Sequence, residues 1–291
     1  MNASSILRRL WASSPQENAR RVAQRLHLFG GPDVEELLRS GKHARPQRPY
    51  DFLSRYEAIL KRAIGWQPLE FRGRAVLEVG CGPLLGFAPL AVFLGCRTFV
   101  GIEPDADLSA LHDPRIREKY LLKLFKDLTG IYGSGPTFPE FIANLESRVS
   151  LRREFVESVH ADELFDIVLS NSTLEHLVPL EPSIRRLLQL QAHGARFLHL
   201  VDFGNHRETR NPFAGMYVVE PDEHRRRHGS GINLARAPDV KAAFANCGAD
   251  VAVVPYYSFR EFYDERPLAW WTDRYSEEEL FLKAAVVCSP R

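Results

Sequence analysis

Val76-Leu77-Glu78-Val79-Gly80-Cys81-Gly82-Pro83-Leu84-Leu85-Gly86 decides how the rest of the chain is read. Ala75 to Val79 has the composition of a short buried strand, and it runs straight into glycines. Leu84 to Leu94 then reads as a helix. Without side chains at Gly80 and Gly82, a ligand can approach the backbone closely. Working outward, further strands are expected at Thr98 to Ile102, Asp166 to Ser170, Ala195 to Val201, Asp250 to Pro255 and Lys283 to Cys288. Helical segments such as Pro182 to Ala192 separate the first several. Strands alternating with helices imply an α/β fold with a mostly parallel sheet covered on both faces. Open sheets of this kind bind ligands at the carboxyl ends of their strands, where the glycine turn lies.

Ahead of this core, residues 5 to 64 have helical spacing in Ile6, Leu7, Leu10 and Trp11, in Val22, Leu26 and Phe29, and in Phe52, Tyr56, Ile59 and Leu60. Gly30-Gly31-Pro32 and the stretch from Arg45 to Pro49 break the pattern. The expected organisation is a helical N-terminal cap over 1–70 and a ligand-binding domain over 71–291. The span of about 106–150 is long for one crossover and reads as an inserted helical cover over the site.

The chain has 291 residues, with 38 Lys plus Arg against 37 Asp plus Glu. That balance, with 45% hydrophobic residues, excludes disorder, collagen and coiled coil, and it disfavours a general nucleic-acid binder. No apolar run approaches the roughly 18 residues that cross a bilayer. The near-zero net charge is uneven: residues 1–62 carry 12 basic and 6 acidic side chains, and the remainder 26 and 31. Cys81, Cys96, Cys247 and Cys288 form no CxxC pair and read as reduced, buried thiols. The N-terminus is Ser/Arg-rich, a mild likeness to a transit peptide, but an amphipathic helix is the simpler reading. The cytoplasm is the default location.

Two cofactor classes compete for the glycine turn. A dinucleotide fingerprint needs G-x-G-x-x-G; here Leu85 holds the third glycine position and Gly86 comes one residue late. Glu78 would also oppose a diphosphate, whereas it suits a ligand carrying an ammonium and a sulfonium. The strand-Glu-x-Gly-x-Gly pattern resembles class I S-adenosylmethionine-dependent methyltransferases. Phe99-Val100-Gly101-Ile102-Glu103-Pro104-Asp105 resembles that family's second strand with its terminal acid. Phe165 to Leu177 and Gly194 to Leu200 resemble its fourth and fifth strands, and the last two strands its terminal pair. The resemblance covers about residues 70–291. It implies a Rossmann-like, doubly wound seven-stranded sheet and S-adenosyl-L-methionine held by Glu78, Gly80, Cys81, Gly82, Glu103, Pro104 and Asn171. Glu103 would accept both ribose hydroxyls, each bond contributing about 1.5–3 kcal/mol. Glu157 or Asp162 either caps the adenine or is a surface acid.

What the resemblance implies for chemistry is methyl transfer to a small-molecule acceptor. O-methylation of a hydroxylated metabolite, a sugar or secondary metabolite, comes first and N-methylation second. A nucleotide-dependent oxidoreductase and a binding module without catalysis are the other classes. An alcohol acceptor needs a base, for which His is best matched near neutral pH. His206, His176 and Asp202 follow the fifth and fourth strands and are the candidates, the alternative being that they pack a helix or shape a turn. A metal site drawn from His193, His199, Asp202, His206 and His224 has no compact ligand spacing, so none is expected. His224-Arg225-Arg226-Arg227-His228 reads as an exposed loop. The aromatics Tyr256, Tyr257, Phe259, Phe262, Tyr263, Trp270 and Trp271 either line an acceptor pocket or cover core.

Overall fold

Five consecutive buried residues, Ala75–Val79, make the central strand of the sheet. The computed structural model describes residues 34–39, 44–104, 106, 109–133, 135–160, 164–206, 211–229, 231–261, 263 and 265–290. The expected helix at Ile6 to Trp11, the Val22 to Phe29 pattern, Asp162 and Phe262 lie outside these residues. In chain order, α1 (Val34–Arg39) and α2 (Arg48–Ile64) precede β1 (Ala75–Val79). Then come α3 (Ala88–Phe93), β2 (Thr98–Ile102), α4 (Leu122–Tyr132), α5 (Phe138–Arg148) and β3 (Val149–Arg152). The second half runs β4 (Phe165–Asn171), α6 (Leu180–Gln189), β5 (Gln191–Asp202), α7 (Pro221–His228), α8 (Ala237–Asn246), β6 (Ala252–Ser258) and β7 (Leu282–Cys288).

The strands form one seven-stranded sheet in the order β3-β2-β1-β4-β5-β7-β6. β1 pairs in parallel with β2 and β4, β2 with β3, and β4 with β5. Only β7 runs antiparallel, between β5 and β6. The Rossmann-like, mostly parallel sheet expected from the sequence is therefore the observed fold. Because the chain winds outward to β3 and then restarts at β4, a crevice opens where the carboxyl ends of β1 and β4 lie side by side.

Period-two alternation splits the core. Ala75, Leu77 and Val79 face the layer of α6 and α8, with Ile184, Leu187, Val240 and Phe244. Val76 joins the opposite cluster, made with α2, α3, α4 and α5, and Glu78 shares its side of the strand. The inserted span thus contributes core: Leu124, Leu128 and Phe141 are fully buried in this second layer. The π-helical turn Arg117–Leu121 ahead of α4 buries Tyr120. α2 is well specified, with Pro49 at its start, Asp51 in the first turn and Lys61 and Arg62 in the last. Gly65, at φ +68°, closes it, and Leu53, Tyr56 and Leu60 form its buried stripe.

Several boundaries differ from the sequence reading. Residues 82–87 are turns rather than helix, and α3 begins only at Ala88. Gly82, Leu85 and Gly86 all take positive φ, which no helix continues. α6 starts at Leu180 and stops at Gln189, because Gln191 already enters β5. His224 to His228 is the end of α7, not a loop, and Arg226 and Arg227 pair with Glu223 one turn earlier. β3 was not recognised in the sequence, since only Val149 of its four residues is buried.

Candidate active site

Glu78 leaves β1 on the α2 side, buried to 2% exposure, and its carboxylate accepts the Phe87 amide at 2.7 Å. A side chain on Gly86 would collide with that carboxylate, so the turn 82–87 is wrapped around it. Burial pushes the Glu78 pKa up to about 8, and Glu103 adds to this, while the Phe87 amide and the Arg48 guanidinium oppose it. Gly80, at φ +77°, lies against Thr173, and any Cβ there would drive apart the glycine turn and the loop after β4.

A cleft opens at this point. Glu78, Gly80, Cys81, Gly82 and Asn171, all named from the sequence as candidate cofactor residues, line it. Arg48, Pro49 and Phe52 of α2 and Tyr120 of the insert complete the wall, and none of these was expected. Arg48 stands over the Phe52 ring at 5.2 Å. Asn171 accepts the Tyr56 hydroxyl at 2.6 Å, and Tyr56 in turn meets Tyr256 of β6 edge-on at 5.7 Å. Glu103 and Pro104 are not part of this wall. Glu103 follows β2, its amide bonded to the Arg152 carbonyl at 3.0 Å, with its charge felt at Glu78 and Cys81. Burial, with the Glu78 and Glu103 charges, pushes the pKa of the buried Cys81 thiol well above its usual range, which disfavours the thiolate. Glu157 accepts the Ser183 hydroxyl of α6, which gives it a structural partner.

Beyond the cleft, His176, Asp202 and His206 come together, although they are spread over 31 positions of the chain. His206 sits at φ +60°, a conformation uncommon outside glycine, with Nε2 3.4 Å from Asp202 Oδ1 and 3.6 Å from Glu175 Oε1. The His176 and His206 rings meet edge-on at 4.9 Å. His176 Nδ1 lies 2.5 Å from the Gly231 carbonyl oxygen; a carbonyl only accepts, so Nδ1 carries the proton. Burial, followed by His206, lowers the His176 pKa against the opposing effect of that carbonyl, while an edge of the ring stays open to solvent. Asp202 is bound by the Lys283 ammonium and accepts the Gly204 amide at 2.8 Å. Burial alone would raise its pKa, but His206, Lys283 and Gly204 together hold it far below the usual range, which makes Asp202 a weak base.

Glu175 completes the group and escaped the sequence reading. It is 4% exposed, and among the described residues neither carboxylate oxygen accepts a well-formed hydrogen bond. Burial raises its pKa well above the ordinary value, Asp202 adds to this, and the nearby amides of Glu175 and Asp202 and the Lys283 charge only partly offset it. Proximity in sequence to His176 gave a weak signal; nothing in the pattern marked Glu175 as buried.

The other histidines fall elsewhere. His199 is fully buried, bonded to Ser170 at 2.8 Å and stacked beside Phe197, and burial pulls its pKa down to about 3. His193 is exposed in β5, and His224 packs on His228 within α7. The C-terminal aromatics divide in two. Tyr263 and Trp271 join Phe213, Tyr217 and Phe281 in a third core cluster. Tyr257 stays 46% exposed, and the Asp202 charge reaches it. Arg236, also unforeseen, is 1% exposed and donates to the Tyr217 hydroxyl at 2.6 Å and the Phe203 carbonyl at 2.7 Å.

No family model and no curated protein matches the chain. Solved structures to which the chain is similar include an S-adenosylmethionine-dependent methyltransferase from Mesorhizobium loti, with 15% identity and a TM-score of 0.43 over 83% of this chain and 99% of that one. Another is magnesium protoporphyrin IX methyltransferase from Synechocystis with bound S-adenosylhomocysteine, at 12% identity and a TM-score of 0.42, over 99% and 98% of the two chains. An O-methyltransferase family protein from Burkholderia thailandensis shares 13% identity with a TM-score of 0.41, over 89% and 67%.

Proposed function

We propose that the chain is an S-adenosylmethionine-dependent methyltransferase that methylates a hydroxyl of a small-molecule acceptor. The observation that carries this reading is a single cleft lined by both a buried carboxylate, Glu78, and a guanidinium, Arg48, against the glycine turn. A ligand whose end carries both an ammonium and a carboxylate matches those two charges; a diphosphate would face Glu78 directly. When bound, the cofactor supplies an electrophilic methyl group on a sulfonium.

The chain's own residues do the rest. Glu78 and Arg48 orient the amino-acid end, and Glu103 at the end of β2 meets the ribose. The acceptor enters from the side of His176, His206 and Tyr257, with its oxygen roughly 3–3.5 Å from the methyl carbon. Once the acceptor oxygen takes up the methyl group, its proton would pass to the polar cluster or to water. His206 is the first candidate to receive it, Asp202 holding the ring, while Lys283 keeps Asp202 too weakly basic to serve alone.

Methyl-labelled S-adenosylmethionine offered with a panel of hydroxylated metabolites tests the proposal. Label on an acceptor oxygen together with accumulated S-adenosylhomocysteine is the expected result. Label on nitrogen alone would move the reaction to N-methylation, for which a base matters less. Hydride exchange with a nicotinamide cofactor, without methyl transfer, would overturn the reading.

A further inference from the structure

The carboxylate of Glu175 poses a physical problem that its surroundings answer in an unusual way. Asp202, the neighbouring acid, has its charge matched by Lys283. Glu175 has no such close ion pair among the described residues: neither buried oxygen accepts a well-formed hydrogen bond, the amides of Glu175 and Asp202 and the Lys283 charge offset its burial only in part, and His206 Nε2 is 3.6 Å away. One oxygen of Glu175 and one nitrogen each of His176 and His206 lie within 4.8 Å of one another. Ligands placed tetrahedrally around one cation at about 2.0–2.2 Å stand about 3.3–3.6 Å apart, so side-chain rotations that draw these atoms in by about 1 Å close the set. The Gly231 carbonyl fixes the His176 tautomer, as backbone carbonyls do for metal-bound imidazoles. Both rings keep an edge toward solvent, leaving coordination positions open to an incoming molecule.

We infer that Glu175, His176 and His206 bind a divalent first-row transition cation, with Asp202 as a fourth or outer ligand. Two imidazoles with a carboxylate favour ions from Mn²⁺ to Zn²⁺ over Mg²⁺, which prefers an all-oxygen shell. The cation supplies the positive charge that Glu175 lacks. Its part in the reaction rests on the methyltransferase reading: an acceptor hydroxyl on an open position is acidified, loses its proton to water and attacks the methyl carbon as an alkoxide. His206 and His176 are then ligands rather than bases, and acceptors with two adjacent oxygens are favoured because they chelate.

Titration of the chelator-treated full chain with Co²⁺ alone, followed by visible absorbance and calorimetry, tests the site without any acceptor. The expected result is one Co²⁺ per chain with a visible ligand-field band, weakened at least tenfold in Glu175→Gln and in His176→Ala. Circular dichroism of each variant checks folding; should Glu175→Gln unfold, His176→Ala, at a more open position, carries the test. Absence of binding by the wild-type chain, or equal binding by both folded variants, overturns the inference. S-adenosylhomocysteine binding, measured separately on the same samples, keeps the two readings apart. Co²⁺ bound without it contradicts the methyltransferase, and the reverse contradicts the cation site.

Discussion

Burial and Glu103 raise the Glu78 pKa to about 8, against Arg48 and the Phe87 amide, so the protonated form is favoured at neutral pH; Tyr120 and Cys81 are the other titratable groups beside it. A carboxyl whose pKa rises from 4.5 unfolded to about 8 folded contributes most below pH 4.5, and that contribution is lost as pH climbs through 8. Stability of the ligand-free chain should therefore decline over this window, and Glu78→Gln should flatten the decline in denaturant titrations. A ligand ammonium needs the ionised form, so binding S-adenosylhomocysteine should expel close to one proton at pH 7. Calorimetry in buffers of different ionisation enthalpy reads that number directly; no proton release would remove Glu78 from the amino-acid end. Glu103 offers a second test. Its replacement by Ala should weaken S-adenosylhomocysteine at least tenfold, and an unchanged Kd would withdraw it from the ribose.

Arg236 ties elements together rather than touching the cleft. Its guanidinium joins the loop after β5, through the Phe203 carbonyl, to the third aromatic cluster, through Tyr217. Arg236→Leu leaves both acceptors buried without a donor, and a loss of about 2–4 kcal/mol is expected in equilibrium unfolding, with the fold retained. A change under about 0.5 kcal/mol would show that the cluster holds the loop unaided. Elements were legible in the sequence where composition and burial agree, as in Ala75–Val79 and Thr98–Ile102. β3 was not, because Ser150 is exposed and Arg152 polar on an edge strand. The helix expected from Leu84 fails on backbone conformation: Leu85 takes φ +68° while fully buried, which apolar periodicity cannot reveal.

For the molecule as a whole, one charge of the N-terminal basic excess, Arg48, lines the cleft. α2 is therefore part of the site as well as of the core, and no helix among the described residues is long and apolar enough to cross a membrane. The glycine turn and both histidines of the polar cluster were visible because they follow strands in the order this sheet requires. Arg48, Tyr120 and Glu175 were not, because their roles arise only when distant segments pack. Calorimetric titration of the wild-type chain, Arg48→Met and Glu78→Gln with S-adenosylhomocysteine and with NAD tests directly which cofactor the cleft takes. The wild type is expected to bind S-adenosylhomocysteine and not NAD, and each variant to lose at least tenfold in affinity. Binding of NAD alone, or S-adenosylhomocysteine affinity untouched by both substitutions, would contradict that expectation.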